Sequence, residues 1–193
     1  RGAEVILTHF QNQSINQDAV ADKIDQLAEQ LSTLHANLKL YIVPFDELQK
    51  EIIKYIPSDY RMIVYKRIML KISGEIAKKE KAKALITGDS LSQVASQTLD
   101  NIYTIYESVE LPILSPLIGL NKKEITEVPR QIGTYDISIL PYGDCCSLLL
   151  SSHPQTHAKL ETVLDMEKSL EIKELISDSI DKVVISYYHG KSF

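Results

Sequence analysis

Four short apolar runs, each followed by a stretch of helical spacing, constrain this chain more than any other feature. They are Glu4–His9, Leu38–Val43, Ala84–Thr87 and Leu111–Leu114, each of the length a buried strand needs. Apolar residues between them recur at helical intervals: Val20, Ile24, Leu27, Ala28 and Leu31 in Asp18–Leu34, and Ile63, Val64, Ile68, Ile72 and Ile76 in Tyr60–Lys79. Phe45–Tyr55 reads as a further helix, broken by Pro57-Ser58. Asn121–Ile132 reads as another, with Asn121 and Glu124 as a capping box and Gly133 as the stop. Continuous apolar strands alternating with helices predict an α/β fold, a parallel sheet with helices on both faces. Ligands of such sheets bind beyond the carboxyl ends of the strands. His9-Phe10, Pro44-Phe45, Thr87-Gly88-Asp89 and Ser115-Pro116 lie at those ends.

The stretch from Ala84 to Ile102, ALITGDSLSQVASQTLDNI, is the most informative of the strand-to-helix passages. After the apolar run comes Gly88, where a missing side chain lets backbone approach a ligand. Asp89 and Ser90 are then placed to cap a helix with apolar positions Leu91, Val94, Ala95, Thr98 and Ile102. The opposite face carries Ser90, Ser92, Gln93, Ser96 and Gln97, without a charge between Ser90 and Leu99. Uncharged donors and acceptors suit a cleft that reads a polar ligand. The plain alternative is an exposed face that is merely poor in charge.

A chain of 193 residues is long enough for a real core, and 44% hydrophobic with 24% charged residues is the balance of a globular protein. No apolar run approaches a membrane span, and no signal peptide is visible, so no membrane partner is expected. A net charge of −5 argues against a broad nucleic-acid surface on this segment. Two adjacent cysteines, Cys145 and Cys146, make no disulfide framework, and a reducing cytoplasm is the expected location. Beyond Tyr135 the pattern loosens into a loop, Pro141–Pro154. Helical stretches follow at Thr156–Met166 and Ile172–Ile180, then an apolar run, Val183–Tyr188.

Neither G-x-G-x-x-G nor a Walker A loop occurs, which disfavours a dinucleotide enzyme or a standard phosphate-loop ATPase. Lys66-Arg67, with Arg61 and Lys71 nearby, can supply a charged donor to phosphate, or form a solvated helix face. Lys122 stands in the first turn of its helix, where a cation opposes the macrodipole, a mild misplacement that hints at neutralising an anion. Lys78, Lys79, Lys81 and Lys83 read as a solvated helix end before they read as an RNA contact. Cys145-Cys146 sits in a loop of Gly, Asp and Ser, where a thiolate can attack sulfur or carry a persulfide. Cys145, Cys146, His153 and His157 offer a zinc alternative, but adjacent cysteines are awkward ligands, and no metal site is expected.

Thr87–Leu99, TGDSLSQVASQTL, closely resembles the signature of the tRNA uridine 4-sulfurtransferases, which also serve thiamine thiazole synthesis. The resemblance continues through Pro116-Leu-Ile118, Asn121-Lys122, Arg130–Thr134 and Pro141–Cys146. It implies a PP-loop ATP pyrophosphatase domain of adenine nucleotide α-hydrolase-like fold over residues 1–154, with 155–193 a helical carboxyl-terminal extension of the same domain. It further implies that ATP, with Mg2+, adenylates O4 of a tRNA uridine, and that persulfide sulfur then displaces AMP to give 4-thiouridine. By resemblance the ATP contacts fall on His9, Phe10, Lys66, Gly88 and Gln97, the adenylation lysine on Lys122 and the reactive cysteine on Cys145.

The same resemblance places a Ser-Gly-Gly-x-Asp-Ser pyrophosphate loop, and an RNA-binding THUMP region before it, ahead of Arg1. The segment by itself is therefore expected neither to hydrolyse ATP nor to bind tRNA strongly, and a cysteine desulfurase is the expected sulfur donor. The final apolar run leaves a homodimer open. Competing readings are another PP-loop activator, such as a tRNA-lysidine or amide-forming synthetase, or a non-catalytic nucleotide- or zinc-binding module.

Overall fold

The computed structural model describes residues 3–12, 17–35, 37–140 and 151–190. In chain order the elements are β1 (Ile6–Gln11), α1 (Gln17–Ser32), β2 (Asn37–Pro44), α2 (Asp46–Tyr55), α3 (Arg61–Lys79), β3 (Leu85–Ile86), a 3-10 turn (Ala95–Gln97) and α4 (Leu99–Tyr106). β4 (Ile113–Leu114), α5 (Lys122–Gln131), α6 (Tyr135–Ser138), α7 (Leu160–Glu167), α8 (Ile172–Asp181) and β5 (Val184–His189) complete them. The chain divides into two compact units, one of residues 1–46, 122–145 and 182–193, the other of 47–121 and 146–181.

The first unit is built on a three-stranded sheet in the order β1-β2-β5. β1 and β2 run parallel, with His9 opposite Ile42 and Phe10 opposite Val43. Successive residues of a strand face opposite sides of the sheet. Leu40 and Tyr41 are both buried, so β2 is covered on both faces, as its unbroken apolar run requires. The last apolar run joins as β5, antiparallel to β2, with Leu38 opposite Tyr188. It is the one departure from a wholly parallel arrangement among the described strands, since β3 and β4 also pair in parallel. The α5 helix ends as its sequence predicts: Gly133 adopts φ 73°, and Thr134 donates its N–H to the Pro129 carbonyl.

The second unit is organised around α3. Ile63, Val64, Ile68, Ile72 and Ile76 are buried along it, and α4, α7, α8 and β3 all pack against it. Burying each such side chain contributes about 1.5–3 kcal/mol. Polar bonds then fix residues 155–158 to α4. Fully buried Asn101 donates to the Ala95 and Gln155 carbonyls and accepts from the Ala158 N–H, while the Thr98 and Thr104 hydroxyls donate to the Thr156 and Ala158 carbonyls. That use of backbone delays the helix expected from Thr156, and α7 starts at Leu160.

One expectation is overturned. Asp89 and Ser90 do not cap a helix: residues 88–94 are irregular, and α4 begins at Leu99 with Thr98 as its cap, the Thr98 hydroxyl accepting from the Asn101 N–H at 3.3 Å. The helical spacing of Leu91 and Val94 is coincidental, because both side chains are exposed. Ser92 stands in the left-handed region at φ 60°, which no α-helix accommodates.

Candidate functional site

β3 and β4 end side by side in register, Ile86 opposite Leu114, so the next residue of each strand is Thr87 and Ser115. Their hydroxyls meet at 2.9 Å, and Tyr106 of α4 closes a triangle at 2.9 Å from Thr87 and 2.6 Å from Ser115. The loops beyond are tied as well, by the Leu91 N–H to the Ile118 carbonyl and the Ser90 hydroxyl to the Leu120 carbonyl. Backbone following both strands is thereby fixed where parallel sheets bind ligands.

Asp89 is the centre of this arrangement. Its Oδ1 accepts from Lys66 Nζ at 2.7 Å and from Gln97 Nε2 at 3.2 Å, and its Oδ2 accepts from the Tyr106 hydroxyl at 3.1 Å. Burial pushes the Asp89 carboxyl up, but the Lys66 charge and the bonds from Lys66, Gln97 and Thr87 outweigh it and hold the group below the ordinary carboxylate value. Burial raises the Tyr106 phenol and the Asp89 charge adds to the effect, so the phenol keeps its proton and donates it.

Gln97 ends the 3-10 turn with its backbone bonded on both sides, its N–H to the Val94 carbonyl and its carbonyl from the Ser92 N–H. Its Nε2 is committed to Asp89, while its Oε1 is buried without a hydrogen-bond partner among the described residues. A buried unpaired acceptor costs about 1–3 kcal/mol. Gly88, beside Asp89, is exposed, and a Cβ added there would meet nothing within 4 Å. Its want of a side chain thus answers no packing demand of the fold.

The cations of α3 separate by partner. Arg61 donates to the Ile53 and Ile56 carbonyls at the end of α2. Arg67 is buried against Glu167, and Lys71 bonds the same carboxylate at 2.7 Å. Of these four, Lys66 alone joins the cluster at the strand ends, with its side chain about one-quarter exposed (24%). A solvated helix face, the plain reading of this run, therefore does not describe Lys66 or Arg67.

His9, Phe10 and Lys122 belong to the first unit. His9 is largely buried near the end of β1; its Nε2 has no partner among the described residues, and burial lowers its pKa so that the ring is neutral near pH 7. Phe10 is buried and meets Phe45 edge to face, ring centroids 5.4 Å apart. Lys122 is the first residue of α5 and exposed. Cys145 and Cys146 lie outside the described residues. His153 and His157 are exposed, and no group of three or more His, Cys, Asp or Glu side chains that could hold a metal occurs among the described residues. No helix among them is long and apolar enough to cross a membrane.

Sequence reasoning missed the roles of Asp89, Tyr106, Thr87 and Ser115. A signal for three of them was present, since Thr87 and Asp89 follow one strand and Ser115 another, at ends where ligands bind.

A probable tRNA sulfurtransferase of Thermus thermophilus is 45% identical over 188 residues, 97% of this chain and 46% of that protein. One from Caldanaerobacter subterraneus subsp. tengcongensis is 40% identical over 184 residues, 95% of this chain and 48% of that protein. The chain thus spans about half the length of the curated relatives it matches. Among solved structures, the crystal structure of a 4-thiouridine synthetase–RNA complex with bound ATP superposes with a TM-score of 0.92 at 30% identity, over 98% of this chain and 50% of that one. A mixed α/β chain with this likeness has the PP-loop, adenine nucleotide α-hydrolase-like fold. The model of the thiamine biosynthesis protein (ThiI) family matches residues 1–172, and the chain belongs to that family.

Proposed function

We propose that this chain is the catalytic segment of an ATP-dependent tRNA uridine 4-sulfurtransferase that also serves sulfur transfer for thiamine thiazole synthesis. The observation that carries the reading is the Lys66–Asp89–Gln97 cluster beyond β3, with open space at Gly88 beside it. The likeness to relatives named tRNA sulfurtransferase and to a 4-thiouridine synthetase with RNA and ATP supports it.

The residues fit a nucleotide. Within the second unit, Gln97 Oε1 is buried without a partner among the described residues, and Lys66 bonds Asp89 next to Gly88, a position open to close approach. We assign the ATP contacts to His9, Phe10, Lys66, Gly88 and Gln97, with Mg2+ accompanying the phosphates. Lys66 and Lys122 would balance charge that grows on the phosphate oxygens during transfer. In the reaction, uridine O4 bonds to the α-phosphorus and pyrophosphate leaves. The terminal sulfur of a persulfide at Cys145 then bonds to C4 and AMP leaves with the oxygen. An external thiol attacks the Cys145 sulfur, a disulfide forms as the S–S bond to the nucleoside breaks, and 4-thiouridine is released. A cysteine desulfurase is the sulfur source in this reading, the cytoplasm its location, and a homodimer the open assembly. In this reading residues 1–154 are the PP-loop domain and 155–193 a helical extension of the same domain.

The test measures 4-thiouridine in tRNA from cells whose only full-length copy carries Cys145→Ala. We expect its loss, with the purified variant still releasing pyrophosphate from ATP in the presence of tRNA. Wild-type 4-thiouridine would refute the role of Cys145, and no pyrophosphate release by wild-type protein would refute the activity itself.

A further inference from the structure

We infer that Asp89 is a positioning residue that holds the Gln97 carboxamide with its nitrogen inward, so that Gln97 Oε1 accepts a hydrogen bond from an N–H or O–H of the bound nucleotide. The inference rests on the proposed ATP-dependent activity and deepens it.

A glutamine amide presents a donor end and an acceptor end, and which one faces a ligand decides what the ligand must offer. Here the choice is made by chemistry. Asp89 is ionised, with Lys66 Nζ at 2.7 Å, and an ionised carboxylate only accepts. Gln97 can approach it only with Nε2, the end found at 3.2 Å. The oxygen must then look away from Asp89, and it is the buried atom left without a partner among the described residues. Tyr106 holds the other carboxylate oxygen, and the backbone bonds at Val94 and Ser92 hold the base of the glutamine. Neither the carboxylate nor the start of the side chain is free to turn the amide over. ATP carries donors of this kind on its 6-amino group and on its ribose hydroxyls, and other purine or deoxy nucleotides lack one or the other. A site built around a fixed acceptor discriminates strongly against a ligand that leaves it unpaired.

The experiment measures dissociation constants of the full-length protein for ATP, purine riboside triphosphate, 2′-deoxy-ATP and 3′-deoxy-ATP. The first analogue lacks the amine and the other two lack one hydroxyl each, so the arms separate the sources of the donor. In wild type one analogue is expected to bind about tenfold or more weakly than ATP, the size of one unpaired buried acceptor. Asp89→Ala should bring that ratio close to one, chiefly by weakening ATP. Gln97→Met, which leaves the Lys66–Asp89 pair in place, should do the same and serves if Asp89→Ala does not fold. A purely structural role would weaken ATP and analogue alike and preserve the ratio, which would overturn the inference. Equal binding of all four nucleotides by wild type would overturn it too. Failure of wild type to bind ATP at all would instead remove the proposed function, and this inference with it.

Discussion

Replacing Glu167 by Gln tests how the second unit is held together. Glu167 is the last residue of α7 and is 6% exposed; Arg67, 2% exposed, donates Nε to Oε1 at 2.7 Å and Nη2 to Oε2 at 3.3 Å. Lys71 bonds Oε2 at 2.7 Å, and Arg67 Nη1 donates to the Thr104 carbonyl. Glutamine fills the same volume and keeps one acceptor, but it turns an amide toward two donors and leaves the guanidinium without its counter-charge. Removing one partner of a buried pair costs about 3–5 kcal/mol. The surviving acceptor and the escape of Lys71 to water, where it is already 23% exposed, reduce this to about 2–3 kcal/mol. At about 2–4 °C per kcal/mol for a chain of this size, the melting temperature should fall by about 5–10 °C. The pH dependence has a definite sign. Burial pushes the Glu167 carboxyl up, but Arg67 and Lys71 outweigh burial and hold it below its ordinary value of 4.5. Its contribution is thus complete above that value and lost as pH falls through the lowered one, so wild type and variant should converge in acid. Arg67→Met with Glu167→Leu should lie within about 1 kcal/mol of wild type, because apolar replacement removes both desolvation costs together. Thermal and urea unfolding check all three. A loss below about 0.5 kcal/mol for the single variant, or a double variant costing the sum of its parts, would refute the reasoning.

Two further substitutions probe backbone. Lys81 lies just past α3 at φ 57°, with the Ala82 N–H reaching back to the Ala77 carbonyl at 2.8 Å, a helix end that favours glycine. Lys81→Gly should stabilise by roughly 0.5–1 kcal/mol in urea unfolding, and a loss would count against a strained cap. At Gly190 an added Cβ would lie 2.2 Å from the Ser32 carbonyl oxygen and 2.9 Å from that of His35. Gly190→Ala should therefore cost about 1–3 kcal/mol and lower the melting temperature, and an unchanged melting temperature would show that the contact relaxes freely.

The sequence disclosed most of the elements because core burial follows its periodicity. Leu40 and Tyr41 are buried back to back in β2, and Ile63, Ile68, Ile72 and Ile76 line α3 at the intervals their spacing requires. Where the reading failed, the deciding bonds are non-local. Asp89 has the chemistry of a cap, and nothing adjacent in sequence reveals that Lys66, 23 residues earlier, neutralises it. The Thr156 segment has helical spacing, but Asn101 and Thr104, more than fifty residues earlier, claim its backbone. β5 was legible only as an apolar run, since its direction against β2 depends on the path of the chain and not on composition.

Lys66 and Arg67 make the same point in two adjacent residues. In sequence they are one basic pair, with two functions open to both. On a helix, adjacent side chains point about 100° apart, so a pair on α3 cannot serve one partner. The geometry sends Arg67 into the packed side, where Glu167 and the Thr104 carbonyl satisfy it, and Lys66 toward the loop after β3. The planar guanidinium, with several fixed donors, suits the buried position, where each N–H needs its own acceptor. The ammonium, a point charge on a flexible stem, suits the half-open one, where its partner carboxylate also orients a glutamine. Exchange of the two residue types would leave the net charge of the chain unchanged while removing the hydrogen-bond geometry at both places. Composition therefore bounds what this segment can bind, and the site depends on the helix phase that separates one cation from the next.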